Sequence, residues 1–570
     1  MRTTTTMRHG ATLAALLLAG TATGAHAQFS GDPASGGGNA TSAGSPAPEK
    51  GRSEKRAERR RTQRTVDLSP YLEIDQVLTA DLKNGGDVLT YTNLAVGVDA
   101  AIVTNRAELA GSVRYEHRIG WNDDLGDSDT VSGLLRGRIE AARGLNLEAG
   151  ALATRTRADG QGAASGLFIG DASNVADIYS LYAGPTFHAG SGPVDVSAAY
   201  RFGYVKAEAP DIVGVDPLLP PLDVYDSSTS HLAQVRAGVK AGVILPVGLS
   251  VAGAWQRENA NQLDQTYDGK FARVDAVLPV GGGLAVVGGV GYEKIKITQK
   301  DPLRDGAGNI VRDRNGRFVT DPASPPRIAY ETDGLFWDAG VMYKPSSRLM
   351  LEARVGRRYD SMSYTGSLQW QISRRSGLQI GVYDSVDSFG RQLVRDLAAL
   401  PTSFNIPGDP FGDGFNGCVF GDTATAAGGC LTNSLGSIST ASYRARGVNA
   451  VLSMNAGPTT LGLGLGYANR RYLVPPGVIV AGTSDDNWYG QLFASHMLDS
   501  VSSLSGNVYA NYYESNLPGA PGVFGAGANG SYYRSFGALS AMATLGISTF
   551  DTEGVGSTSA QALLGVRYGF

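Results

Sequence analysis

The chemistry open to this chain sits in six histidines, two cysteines, one aspartate-rich run and a series of basic residues inside strand-like segments. The histidines are His9, His26, His117, His188, His231 and His496. Hydrolysis by a hydroxyl nucleophile needs a histidine within hydrogen-bond reach, backed by a carboxylate. The first two histidines fall in a leader-like segment and the other four on well-separated segments, so no catalytic residue is assigned and the chain reads as a non-enzyme. Trp121 to Thr130 (WNDDLGDSDT) carries the oxygen ligands calcium prefers, but not the spacing of an EF-hand loop. A soluble, turn-forming loop is the simpler reading, and no metal or cofactor is assigned. Cys418 and Cys430 share one long glycine-rich segment; in an exported chain they are expected to form a local disulfide.

The basic residues are Arg114, Arg136, Arg138, Arg201, Arg236 and Lys240, with Arg273 and Arg354 beyond them. They fall mid-segment, on the polar side of alternating stretches. Glu108 to Arg118 sets Leu109, Gly111, Val113 and Tyr115 against Glu108, Ala110, Ser112, Arg114 and Glu116. Pro193 to Tyr204, His231 to Val243 and Ser502 to Tyr513 alternate in the same way, each near the ten residues a tilted strand needs to cross a bilayer. A sandwich also has one polar face. Two features favour a membrane barrel with these cations lining a wet lumen. The apolar face ends in aromatics (Tyr115, Tyr204, Trp255, Tyr292, Tyr343, Tyr467, Trp488, Tyr512), and short turns alternate with long polar loops. Arg114, Arg136 and Arg138 would lie side by side on neighbouring strands, braced by Glu116 and Glu140. An excess of cations at the constriction would favour anions, the acidic residues then lying mostly in loops.

These elements define an all-β fold, an antiparallel transmembrane barrel over residues 66–570 of about 22 strands (20 or 24 as alternatives). Closure pairs a first strand near Tyr71 to Thr79 with the last, because hydrocarbon leaves any open edge without hydrogen-bond partners. No stretch of about 18 apolar residues follows the leader, so no transmembrane helix is expected. Residues 1–27 read as a secretory signal peptide: Arg2 and Arg8, the apolar ATLAALLLAG, then Ala25-His26-Ala27. Residues 28–65 form a low-complexity tail ending in a basic run with net charge +5 over 49–64. It reads as a solvated periplasmic tether, or as a dock for an anionic polysaccharide or the cell wall. The rest of the chain, 65–570, carries −10. The longest loop, 386–442, contains Gln392 to Leu400 with helical spacing, either folded inward as a constriction or left outside as a mobile loop. Asp305 to Gly316 reads as a surface hairpin turning at Asn315-Gly316.

The terminal Gly565, Tyr568 and Phe570 resemble the C-terminal insertion signal of bacterial outer-membrane barrels, which implies the barrel-assembly machinery as a partner and outer-membrane lipid and lipopolysaccharide as surroundings. Gly356-Arg-Arg-Tyr359, Ser363-Tyr364 and Ser373-Arg-Arg375 resemble an outer-membrane barrel family found with exopolysaccharide and PEP-CTERM sorting systems. Pro70 to Ile74, Gly144 to Gly150 and Leu564 to Tyr568 are similar to a related barrel family often labelled preprotein translocase subunit YajC, although nothing here matches that short inner-membrane protein. The resemblance implies localisation in the cell outer membrane of a Gram-negative envelope, away from nucleic acid. The expected function is a porin-like channel or the outer-membrane component of an envelope or exopolysaccharide export system. A structural or surface-interaction barrel with a plugged lumen is the alternative, and a barrel hydrolase is the third reading.

Overall fold

Two-residue alternation becomes strand along nearly all of the described chain. The computed structural model describes residues 65–83, 88–121, 127–157, 175–208, 223, 225–407, 411, 417–436, 438–476, 484–516, 522–552 and 555–570. The leader, the tail apart from Thr65, and residues 122–126 of the aspartate-rich run lie outside the described residues.

In chain order the strands are β1 (Thr65–Asp81), β2 (Val88–Val103), β3 (Ala107–Gly120), β4 (Ser128–Ala142), β5 (Leu145–Arg157), β6 (Val175–Ser191), β7 (Val194–Glu208) and β8 (Ser227–Val239). Next come β9 (Gly248–Ala260), β10 (Thr266–Gly281), β11 (Leu284–Gln299), β12 (Arg327–Ser346), β13 (Leu349–Arg358), β14 (Ser361–Gln371) and β15 (Gly377–Asp387). An inserted segment then holds helix α1 (Phe389–Ala399), short strands β16 (Phe404–Asn405), β17 (Cys418–Thr423) and β18 (Ala426–Cys430), and one helical turn, α2 (Thr432–Leu435). The wall resumes with β19 (Tyr443–Ala456), β20 (Thr459–Tyr472), β21 (Ser484–Met497), β22 (Ser502–Ser515), β23 (Val523–Phe536), β24 (Leu539–Thr552) and β25 (Val555–Gly569).

Twenty-two of these strands make one sheet, each antiparallel to its sequence neighbours, with β15 passing to β19. The ring closes where β1 pairs with β25, from Tyr71 opposite Gly569 to Asp81 opposite Ser559. Closure leaves no strand edge bare, the condition for a sheet to stand in hydrocarbon.

The two faces differ as a lipid-facing wall requires. On β25 and just past its end, Leu564 and Phe570 are 69% and 73% exposed, whereas Leu563, next to Leu564, is 2% exposed. Leu72 and Ile74 on β1, Val274 and Leu278 on β10 and Leu492 on β21 continue this exposed apolar belt around the ring. Only a hydrocarbon surround covers so large an apolar surface without cost. Aromatics border it: Tyr467, Trp488 and Tyr512 form a row with ring centroids 5.1 and 5.6 Å apart toward the long-loop rim. Tyr343, Trp370, Tyr568 and Phe570 are exposed near the other rim.

Connections alternate short and long, with exceptions on both rims. The β8–β9 turn on the short rim is longer, 240–247. On the long-loop rim, β13 and β14 meet through Tyr359-Asp360, both left-handed with φ of 52° and 55°, a two-residue turn whose twist matches the flanking strands. The connection 300–326 is also more than a hairpin. Asp305, Asp313 and Asp321 recur every eight residues, and each carboxylate accepts a backbone N–H two residues on. Leu303, Val311 and Val319 close a ring of backbone hydrogen bonds of 2.7, 2.8 and 3.0 Å. The expected turn at Asn315-Gly316 is thus one of three turns in a pseudo-threefold knob.

Candidate functional site

The site is the lumen and the described residues of the segment 388–442, which fold into it. Ser388 starts α1 in extended geometry, and its side chain accepts the Arg391 N–H at 3.3 Å, a helix N-cap. An 11-residue helix is marginal alone, so packing must hold it. Phe389, Leu393 and Leu397 are fully buried against inward residues of the wall: Leu134, Leu152, Ile178 and Val205. Burying each such side chain contributes about 1.5–3 kcal/mol. Val394 fills the space left by Gly203, where a Cβ would come within 2.7 Å of it. The inner wall of β4–β7 is therefore apolar where the helix rests, not polar throughout as the alternation suggested.

Polar contacts fix both helix ends. At the start, Arg391 meets Glu258 at 3.1 Å and Gln256 at 3.2 Å and lies over the Tyr267 ring; Ser388 also bonds Glu258. At the far end Arg136 donates to the carbonyls of Ala398 (3.1 Å) and Leu400 (3.3 Å) while pairing with Glu148 at 2.9 Å. A cation there compensates the negative helix end, and α1 has no basic residue of its own in that turn.

The segment then crosses to other sectors. Phe411 packs with Val77, Tyr91 and Leu563 of β1, β2 and β25. The β17–β18 hairpin lies on β19–β21, with Cys418 and Cys430 directly opposite each other and disulfide-bonded. Its seat is a glycine row. Gly462, Gly464 and Gly466 face inward from β20 while Leu461, Leu463 and Leu465 alternate with them. A Cβ at Gly462 would meet the Phe420 ring, and one at Gly464 would meet both sulfurs. Phe420 stacks on Phe493 with ring centroids 5.9 Å apart, and Gln491 accepts the Cys418 N–H at 2.7 Å. Of the two readings of this loop, the structure takes the inward one.

The arginines singled out from sequence lie on inward-facing strand positions and Lys240 lies one residue past the end of β8, most of them beside an acid. Arg114 pairs with Glu73, with Asp75 at 3.0 Å and with Glu116 at 2.9 Å. Arg138 meets Glu108 at 3.2 Å, and Lys240 meets Asp195 at 3.2 Å. Arg236 bonds Ser250 at 3.0 Å, and Arg201 lies over the Tyr182 ring, 5.5 Å from its centroid. The expected juxtaposition of Arg114 with Arg136 and Arg138 is corrected. The β3–β4 register sets Arg114 opposite Ser132, and Arg136 opposite Ala110. Four residues of strand separate Ser132 from Arg136, about 13 Å. Acids concentrated in loops are also corrected. Glu73, Asp75, Asp275, Glu293 and Glu352 are buried on the inner wall, because a desolvated guanidinium needs a counter-charge there. Arg273 and Arg354 share Asp275 and Asp338 at 2.6–2.9 Å, forming a brace across β10, β12 and β13. Sequence reasoning missed these acids and the glycine row, although the alternation of leucine with Gly462, Gly464 and Gly466 was a usable signal.

The histidines do not converge. His117 meets Asp129 at 2.8 Å, His231 meets the Tyr200 hydroxyl at 2.8 Å, and His496 meets Thr459 at 2.8 Å. These three point outward, while His188 faces inward near the short-turn rim. The Gly356 to Tyr359 stretch forms the tip of the β13–β14 hairpin, where Arg358 pairs with Glu293 at 2.8 Å and packs over Phe271, Phe336 and Tyr359.

No family model and no curated protein matches the chain. Among solved structures it is similar to the siderophore receptor PirA from Acinetobacter baumannii (9% identity, TM-score 0.38, covering 89% of this chain and 81% of that one). It is also similar to the ferric-catecholate import receptor Fiu from E. coli K12 in its open form (11%, 0.41, 88% and 81%). A third is the FrpB iron transporter from Neisseria meningitidis (10%, 0.40, 88% and 81%). Likeness at this level says nothing of ligand or mechanism, and the architecture rests on the closed ring of strand pairs itself.

Proposed function

We propose that the protein is an outer-membrane channel whose aqueous path is narrowed by its own inserted segment 388–442. It serves either solute passage or the outer-membrane step of an envelope export system, exopolysaccharide export included. The observation that carries this reading is the segment's seating. It touches the wall at β5–β8, β19–β21 and β24–β2 from inside, held by polar contacts as well as apolar ones. In an export setting the outward Tyr568 and Phe570 are the surface offered to the barrel-assembly machinery, and the basic tail engages an anionic polysaccharide or the cell wall. The extent of that seating also favours a second reading, a plugged structural barrel.

Planar-bilayer recording separates the two. The channel reading expects small, fluctuating conductance from the intact protein and larger, steadier conductance when 388–442 is replaced by a short Gly-Ser linker. A structural barrel gives no conductance intact, and the same replacement abolishes surface attachment.

A further inference from the structure

On the inner wall of β5–β8, just short of the helix seat, lies a recess lined by Glu148, Tyr182, Thr186, Arg201, Leu232 and Gln234. It sits two residues along β7 from Gly203, the notch that receives Val394, and so below α1 toward the short-turn rim.

Its polar groups divide into two sets. Glu148 is committed, with one oxygen on Arg136 at 2.9 Å and the other on the Thr186 hydroxyl at 3.3 Å. The rest are uncommitted. The Arg201 guanidinium makes no hydrogen bond or ion pair among the described residues and lies over the face of Tyr182. Tyr182 is 1% exposed, and its hydroxyl has no acceptor. The Gln234 side chain completes the lining beside them. Arg136, Arg201 and Glu148 leave the recess one positive charge in excess. Buried donors without acceptors cost free energy that a ligand can recover, and a planar guanidinium fork fits a carboxylate with two parallel bonds.

We propose that this recess is a carboxylate-binding subsite of the channel, with Arg201 holding the anion and the Tyr182 hydroxyl and Gln234 amide completing its hydrogen bonds. It names a substrate class, acidic hydrophilic solutes such as uronic-acid sugars. Calling the ligand a permeant rests on the channel reading.

Isothermal titration of the refolded barrel in detergent with glucuronate, and with glucose as its uncharged counterpart, tests it without any current. Glucuronate is expected to bind and glucose not, with affinity falling as salt rises. Arg201→Gln is expected to weaken glucuronate by roughly ten- to a hundred-fold. Arg201→Lys, which keeps the charge but loses the fork, should recover part of that loss. Tyr182→Phe, which keeps the ring, should weaken binding several-fold. Equal heats for the two sugars, or unchanged glucuronate binding in a folded Arg201→Gln barrel, overturns the proposal. A barrel that binds glucuronate and carries no current contradicts the channel reading and leaves the subsite standing. One that conducts without binding does the reverse.

Discussion

Gly464→Ala is the smallest change that should unseat the inserted hairpin. An ideal Cβ there lies 2.8 Å from the Cys430 sulfur and closer still to that of Cys418. Carbon and sulfur at rest need roughly 3.5–4 Å, so something must yield by about 1.2–1.7 Å at the Cys418 sulfur. Neither partner yields easily. Residue 464 is held by Val451 on one side and Gln491 on the other, and the disulfide is a rigid link, not the tip of a flexible side chain. Overpacking of this kind costs about 1–3 kcal/mol, which lowers the ratio of seated to unseated hairpin about 5- to 150-fold. Hydrogen exchange read by mass spectrometry over 417–431 is the assay. Protection there should fall by that factor, while exchange in β20 and the heat-modifiable gel migration of the barrel stay unchanged. Gly490→Ala is the control: its side faces outward, with only the end of Leu465 nearby at 3.3 Å. Full protection over 417–431 in a folded Gly464→Ala barrel would refute the seating argument.

Other outcomes follow from the same geometry. Arg136→Gln removes the cation from the α1 terminus and leaves Glu148 unpaired, so protection over 389–399 should drop by roughly ten- to a hundred-fold. Replacing Cys418 and Cys430 by serine opens a 12-residue loop; it should destabilise the hairpin by about 3 kcal/mol in local exchange and leave the wall intact. Asp223, outside the strands, joins its own segment to the knob and the inserted segment. Its carboxylate accepts from Gln262 and the Phe318 N–H at 2.8 and 2.9 Å, and its carbonyl from the Thr440 N–H at 3.3 Å, with Arg312 as the facing cation. Burial pushes its pKa up to about 7. A raised carboxyl contributes stability that is complete below its unfolded value near 4 and is lost as pH rises through about 7. Proteolysis of 301–324 should therefore quicken between pH 4 and 7 and level off above. Asp223→Asn should flatten that profile; an unaltered profile would remove Asp223 as its source.

Much of the wall was legible because a two-residue period leaves its mark wherever one face meets lipid. The exposed line Leu564, Val566, Tyr568 and Phe570 and the strand number both follow from it. The disulfide was legible from isolation: two cysteines, close together, in an exported chain. The inner surface was harder to read, because water, a salt-bridge brace and a packed helix each put different residues at the same alternating positions. Leu134, Leu152, Ile178 and Val205 break the polar pattern because α1 covers them, and only the partner's position reveals that. Helical spacing over Gln392–Leu400 pointed to α1, but spacing alone cannot say on which side of the rim a helix lies. The pairing of Arg114 with Glu73 and Asp75 depended on β1 being its second neighbour across the sheet, a matter of register. The eight-residue recurrence of Asp305, Asp313 and Asp321 was present in the sequence and passed unread, because a single Asn-Gly turn explained the segment locally.

Helix α1 and the β17–β18 hairpin lie inside the barrel, and a cysteine pair at Gly203 and Val394 tests that placement most directly. A Cβ at 203 falls within 2.7 Å of the Val394 side chain, so the two new sulfurs are within bonding reach. Peptide mapping of the oxidised Gly203→Cys/Val394→Cys protein, purified from intact outer membranes, should recover a 203–394 disulfide beside the native 418–430 bond. Recovery of both new thiols free, and labelled by an impermeant maleimide applied to intact cells, would place the segment outside and contradict the account.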